Sequence, residues 1–280
     1  MASIGPEHDA PIVINFPKVS AREFRLTIDS LVIGRKQKNS DPNPGIKELV
    51  LTSGYKLERY VEKKLAKVFP NPQPKHDSYQ WDAPTPEDKS SLALNAEQVL
   101  DVTQFVDGGK LNWQAPAGKW TVVHYFMRTT GTTNGPSTKA TRGPEIDKLS
   151  KEIAQAHFDA YVGDIYNRLK PAERTALKYI VIDSYERGAQ NWTDGIAERF
   201  EQQFGYDPMQ FLPVYTGRIV NSTEQSERFL WDMRRMVADR VSYEYTAGIR
   251  ERAHEHGLKL WLENYGHWGF PGEFLQYGGQ

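Results

Sequence analysis

Residues 177–193, Leu-Lys-Tyr-Ile-Val-Ile-Asp-Ser-Tyr-Glu-Arg-Gly-Ala-Gln-Asn-Trp-Thr, constrain the fold more than any other stretch of the chain. Tyr179, Ile180, Val181 and Ile182 form an unbroken apolar run rich in β-branched side chains. Such a run predicts a strand covered on both faces, as in the parallel sheets of α/β proteins. Asp183 and Glu186 follow at once, with Tyr185, Gln190, Asn191 and Trp192 beside them. In α/β barrels and open α/β sheets ligands bind at the carboxyl ends of the strands, so these side chains fall where chemistry is expected.

Residues 258–268 repeat the pattern. The run Leu-Lys-Leu-Trp-Leu is followed directly by Glu263, Asn264, Tyr265, His267 and Trp268. Two strands that each lead into a glutamate predict a pair of carboxylates across one pocket. That pairing suits glycoside hydrolysis, where one acid protonates the leaving oxygen and the other activates water or attacks. Trp192, Tyr265 and Trp268 have the flat apolar faces on which a sugar ring stacks. The plainer role of a strand-end acid is a helix cap or a surface partner, and it weighs most against Asp183.

Before and between these two strands the pattern is helical. Leu149, Ile153, Ala156, His157, Ala160, Tyr161, Ile165 and Leu169 recur at the spacing of an amphipathic helix, with Asp147 as its expected cap. Thr193 is the expected cap of a helix running to about Phe204, where Gly205 ends it. Ser222 with Gln225 reads as a capping box. It opens the longest stripe in the chain, Leu230, Met233, Val237, Val241, Tyr245, Ile249 and Ala253, which Gly257 stops. A longer apolar run, residues 120–127, precedes all of this and reads as a further strand. Residues 119–263 are therefore expected to be β-α-β-α-β with a parallel sheet.

Residues 1–118 read differently. Segments 11–16, 23–28, 47–52, 100–105 and 109–113 have strand-like patterns separated by Pro, Asn, Gly and Ser, which predicts a β-sandwich-like region. Residues 70–90 are proline-rich and polar, as in an extended loop, and residues 57–68 fit helix and strand about equally.

Composition narrows the partners. Thirty-five basic against thirty-six acidic residues give no reason to expect nucleic acid or an anionic membrane, and the absence of cysteine rules out thiolate chemistry within the chain. No apolar run approaches the ~20 residues of a membrane helix. Seven tryptophans fit a carbohydrate partner and equally a large β domain.

Several ordered blocks resemble the α-L-rhamnosidases of glycoside hydrolase family 106: Ala115-Pro-Ala-Gly-Lys-Trp-Thr121, Arg142-Gly-Pro-Glu-Ile-Asp-Lys-Leu-Ser150, Ile182-Asp-Ser-Tyr-Glu186 with Gly188-Ala-Gln-Asn-Trp-Thr193, Gly205-Tyr-Asp-Pro208 and His254-Glu-His-Gly257. The resemblance implies an internal fragment of a large bacterial enzyme: a sandwich-like barrel insertion over 1–118 and part of a (β/α)8 barrel over 119–280. It implies inverting, calcium-dependent release of terminal L-rhamnose from plant polysaccharides or glycosides, in the periplasm or outside the cell. Glu186 matches the expected general acid. Glu263 matches a pocket carboxylate that binds calcium or sugar hydroxyls, and the general base lies on a later strand. Asp183 joins the catalytic set, while Tyr185, Asn191, Trp192, Tyr265 and His267 are expected to contact substrate. Two alternatives stay open: a non-catalytic carbohydrate-binding protein, and a retaining hydrolase using Glu186 and Glu263.

Overall fold

The computed structural model describes residues 13–17, 19–28, 46, 48–64, 93–135, 137–183 and 190–262. Helices α1 (Tyr60–Lys63), α2 (Lys151–Phe158), α3 (Asp164–Arg168), α4 (Pro171–Arg174), α5 (Ile196–Phe204), α6 (Thr223–Arg240) and α7 (Ala247–Glu255) dominate. The strands are β1 (Val106–Asp107), β2 (Lys110–Leu111), β3 (Tyr179–Ile182) and β4 (Lys259–Leu262).

Both predicted helical segments become long helical rods, each interrupted by one wider turn. The α6–α7 stripe is buried as expected, whereas in the 149–169 segment the expected stripe residues Ile153, Tyr161 and Ile165 are exposed and Ala154, Phe158, Val162 and Tyr166 make the packed face instead. α2 continues through a π-helical turn, Asp159–Gly163, into α3, and α6 continues through Val241–Thr246 into α7. Ser222 caps α6 as expected, its hydroxyl accepting from the Gln225 N–H at 3.1 Å. Gly257, at φ +69°, supplies the left-handed turn that ends the rod. Two expected caps are corrected. Ser150, not Asp147, caps α2, its hydroxyl accepting from the Ile153 N–H. Gly195, at φ +72°, sits at the start of α5 in place of Thr193. Both displaced side chains have partners elsewhere.

Two apolar clusters hold the fold. The larger gathers around α6 and α5: Phe229, Leu230, Met233, Met236 and Val237 meet Ile196, Phe200, Phe211 and Val214. Phe200, Phe211 and Phe229 form its aromatic centre, with Phe211 and Phe229 stacked at 5.6 Å. Leu57, Tyr60, Val61 and Ala96 from the N-terminal part pack into the same cluster. Backbone bonds fasten them there, Leu57 N–H to the Gly217 carbonyl and Leu94 N–H to the Ile219 carbonyl, each at 2.9 Å. The smaller cluster, Ala154, Phe158, Ile249, Ala253, Leu258 and Leu260, joins α2 and α7 to the β3–β4 pair. His256 sits at its margin: its ring lies against Phe158 and Tyr166, and its Nδ1 is 2.9 Å from the Arg252 carbonyl, which can only accept.

The strands depart most from expectation. β3 and β4 pair in parallel, Tyr179 opposite Lys259 through Ile182 opposite Leu262, as the β-α-β reading requires. They are not covered on both faces, however. Ile180, Ile182, Leu260 and Leu262 pack on the smaller cluster, while Tyr179, Val181 and Trp261 are more than half exposed. An apolar run shows that no position repels burial, but it does not supply the layer that buries it.

Among the described residues of segments 11–16, 23–28, 47–52, 100–105 and 120–127 there is no strand ladder. Ile14, Phe16, Leu26, Leu49, Val122 and Phe126 are exposed. Period-two alternation specifies side-chain direction, yet a sheet also needs a neighbour to bond to. The short β1–β2 hairpin, turned by Gly108 and Gly109 at positive φ, is the described strand pairing of that part.

Candidate active site

The site begins with the register of β3 and β4. Because the strands run the same way and Ile182 lies opposite Leu262, their carboxyl ends stand side by side. The chain continues from one end into Asp183 and from the other into Glu263. Asp183 is exposed directly beyond β3. Tyr185, Glu186, Glu263, Tyr265 and His267 lie outside the described residues.

Asn191 and Trp192 are described. The Asn191 side-chain N–H donates to the Lys64 carbonyl at 3.0 Å, and Trp192 is partly buried against the larger cluster. Both side chains therefore have structural attachments on the α6 side.

A connected polar group at residues 145–149 and 190–193 is one the sequence pattern did not single out for the site. Asp147 accepts from the Leu149 N–H at 2.8 Å, from the Gln190 side-chain amide and from the Thr193 hydroxyl. Gln190 in turn accepts from the Lys148 N–H at 3.0 Å. Lys148, itself buried, pairs with Glu145 at 2.5 Å and lies 5.7 Å from the centre of the Tyr245 ring. Burial, reinforced by the negative charge of Glu145, pushes the Tyr245 hydroxyl up to about 12. Arg240 donates to the Leu149 carbonyl and stands 3.6 Å from Glu244. Burial lowers the Arg240 guanidinium from its ordinary value, as does Arg199 nearby.

The 145–149 segment is thus held between residues 190–193 on one side and the wide turn after α6 on the other. The available signal was the charged run Glu145-Ile-Asp-Lys148 ahead of a helix, which by itself looks like a solvated cap. Among the described residues no three His, Asp or Glu side chains come together as a metal site, and Glu263 is not among those described.

The family model for glycoside hydrolase 106, described as α-L-rhamnosidase, matches residues 6–280. The chain belongs to this family. The structure is similar to a rhamnosidase from a Novosphingobium species, with a TM-score of 0.62 and 28% identity, over 76% of this chain and 20% of that one. A Formosa agariphila protein carrying the name "Putative beta-glucuronidase" is 35% identical over 190 residues, 68% of this chain and 16% of its own length. The chain thus spans a fifth or less of these relatives, as fits a fragment of a longer family 106 protein.

Proposed function

We propose that this chain is part of an inverting α-L-rhamnosidase that removes terminal α-L-rhamnose from plant polysaccharides or glycosides. In this reading Glu186 is the general acid. Membership of a glycoside hydrolase family supports the reaction class. The observation that carries the site is the in-register parallel pairing of β3 and β4, which starts the two acid-bearing segments from one edge. The return from β3 to the parallel β4 through helices supports a β/α arrangement, and the proposed division is a portion of a (β/α)8 barrel at 119–280 with a sandwich-like insertion at 1–118.

The chemistry follows from what the bond needs. The glycosidic oxygen leaves poorly as an alkoxide, so a protonated carboxyl must deliver its proton as the bond breaks. Glu186 would do this, with Asp183 and Tyr185 beside it in sequence. Water attacks the opposite face of the sugar, activated by a base on another segment of the longer protein. Inversion requires acid and base roughly 6.5–9.5 Å apart, whereas retention through Glu186 and Glu263 requires roughly 5–5.5 Å. Tyr265 and His267 would contact the sugar. The two names borne by the relatives set the substrate question: rhamnoside or glucuronide.

The test is Glu186→Gln in the full-length protein, assayed on an alkyl α-L-rhamnoside and a β-glucuronide. Wild type should hydrolyse the rhamnoside, with the product anomer inverted by NMR, and the variant should lose about 10²–10⁴ in kcat while still binding it. Unchanged turnover would reject Glu186 as the acid; retention of the anomer would favour the Glu186–Glu263 alternative. Binding without turnover in wild type would favour a non-catalytic sugar-binding protein.

Calcium enters this reading through family likeness, with Glu263 as a ligand. A native-state ligand raises the unfolding temperature by mass action. Calcium should therefore raise Tm of the full-length protein, and Glu263→Gln should remove most of that shift. An equal shift in the variant would take Glu263 out of the ligand set.

A further inference from the structure

Between α5 and α6 lies a cleft of about 380 Å³, within the size range of small-ligand sites. α5 contributes Arg199 and Gln203, α6 contributes Asp239 and Arg240, and the wide turn Val241–Thr246 adds Tyr243 and Glu244. Met236, only 2% exposed, gives the lining an apolar member. A wide turn inside a long helix is rare and recurs at functional sites. Here it carries the Glu244 carboxylate to 3.0 Å from Arg199 of the neighbouring helix.

The polar groups of the cleft select a class of ligand. Both carboxylates already have guanidinium partners: Glu244 has Arg199 at 3.0 Å and Arg240 at 3.6 Å, and Asp239 has Arg235 at 2.8 Å. Asp239 also accepts from the Gln203 side-chain amide at 3.0 Å. An incoming anion or cation would compete with these pairs. A hydroxyl, donor and acceptor at once, adds to them, because a carboxylate has about four lone-pair sites and a guanidinium five N–H groups. Arg240 shows the surplus directly. It is 6% exposed, its terminal nitrogens face the Leu149 carbonyl and Glu244, and its Nε has no partner among the described residues. A buried donor without a partner is uncommon in a folded chain. Tyr243, 38% exposed, adds an aromatic ring to the same lining, the kind of flat apolar surface on which a sugar packs.

We propose that this cleft is a carbohydrate-binding site that takes a neutral sugar unit of the polymer the enzyme degrades. The proposal rests on the glycan-hydrolase reading above. It adds a hold on the polymer through α5 and the wide turn, which raises affinity for long substrates by effective concentration and leaves bond cleavage itself alone.

The experiment uses the full-length protein and two probes, methyl α-L-rhamnoside and a rhamnose-containing plant polysaccharide, rhamnogalacturonan. Binding to the polymer is read by retardation in native gels that contain it, and hydrolysis by kinetics on both. Tyr243→Ala combined with Gln203→Ala should weaken retardation by about 3- to 10-fold in apparent affinity and raise KM on the polymer to match. On methyl rhamnoside, kcat and KM should stay within about twofold of wild type. Tyr243→Phe, which keeps the ring, should behave as wild type. Should the double variant fail to fold, each single variant should show the same selectivity at smaller size. Retardation should persist in about 0.5 M NaCl, where attraction between exposed charges is screened. Its loss in salt would overturn the assignment to a neutral sugar, and unchanged retardation in the variants, or equal KM increases on both substrates, would overturn the site. A wild type that is retarded but cleaves neither substrate would remove the hydrolase reading and leave the cleft. A wild type that cleaves both, with the variants unchanged throughout, would remove the cleft and leave the hydrolase.

Discussion

The two apolar clusters are built from the same kinds of residue and reach opposite outcomes. Around α6 the chain closes on every side: Phe200, Phe229, Leu230 and Val214 are inaccessible, and even Asp232 is buried, its carboxylate accepting from the Tyr206 hydroxyl at 2.9 Å. Around β3 and β4 only one face is closed. Ile180 and Leu260 point into α2 and α7, while Val181 and Trp261, each their chain neighbour, are 56% exposed. The first region supplies the stability of the described fold. The second is a sheet segment with one face packed and its strand ends leading into acids. The contrast separates the closed cluster around α6 from the strand pair whose ends lead into the proposed acids.

The largest expected effect tests the closed side. Phe229 lies at the meeting point of Phe200, Phe211 and Tyr215, and it touches no residue of the strand pair's cluster. Phe229→Ala removes a fully buried ring and leaves a cavity, so it should cost about 3–5 kcal/mol in urea unfolding. A cost under about 1 kcal/mol would show that the α6 cluster repacks freely and that the contrast with the sheet is overstated.

How much of this could be read beforehand follows the same division. Helical stripes are local and redundant, so Leu230 through Ala253 announced the α6–α7 rod, and Ser222 and Gly257 marked its ends. Strand pairing is non-local. The runs at 179–182 and 259–262 were identifiable as strands, and their parallel pairing followed from the helices between them. Which face would be covered depended on elements far away in sequence, and for segments such as 120–127 a pattern alone did not make a strand. The Asp147 hydrogen-bond cluster was hidden for a related reason. Its partners Gln190 and Thr193 are more than forty positions away, and a carboxylate just before a helix ordinarily reads as a cap. Thr193 likewise has the identity of a cap but gives its hydroxyl to tertiary structure, while Gly195 takes the helix start by backbone geometry.

The smallest expected effect tests the open side. Val181 sits mid-strand in β3, opposite Trp261, with both side chains 56% exposed. Threonine matches valine in shape and in strand preference, and on a solvated face its hydroxyl keeps water as partner. Val181→Thr should therefore change the stability of the 280-residue chain by less than about 0.5 kcal/mol. In the full-length protein the outcome sharpens the barrel proposal. If further strands close over this face, the same hydroxyl is enclosed by apolar neighbours and should cost about 1–3 kcal/mol. Paired unfolding curves for the two lengths read the difference directly. A cost of that size in the 280-residue chain itself would mean that the face is already covered, and the asymmetry between the α6 cluster and the strand pair would disappear.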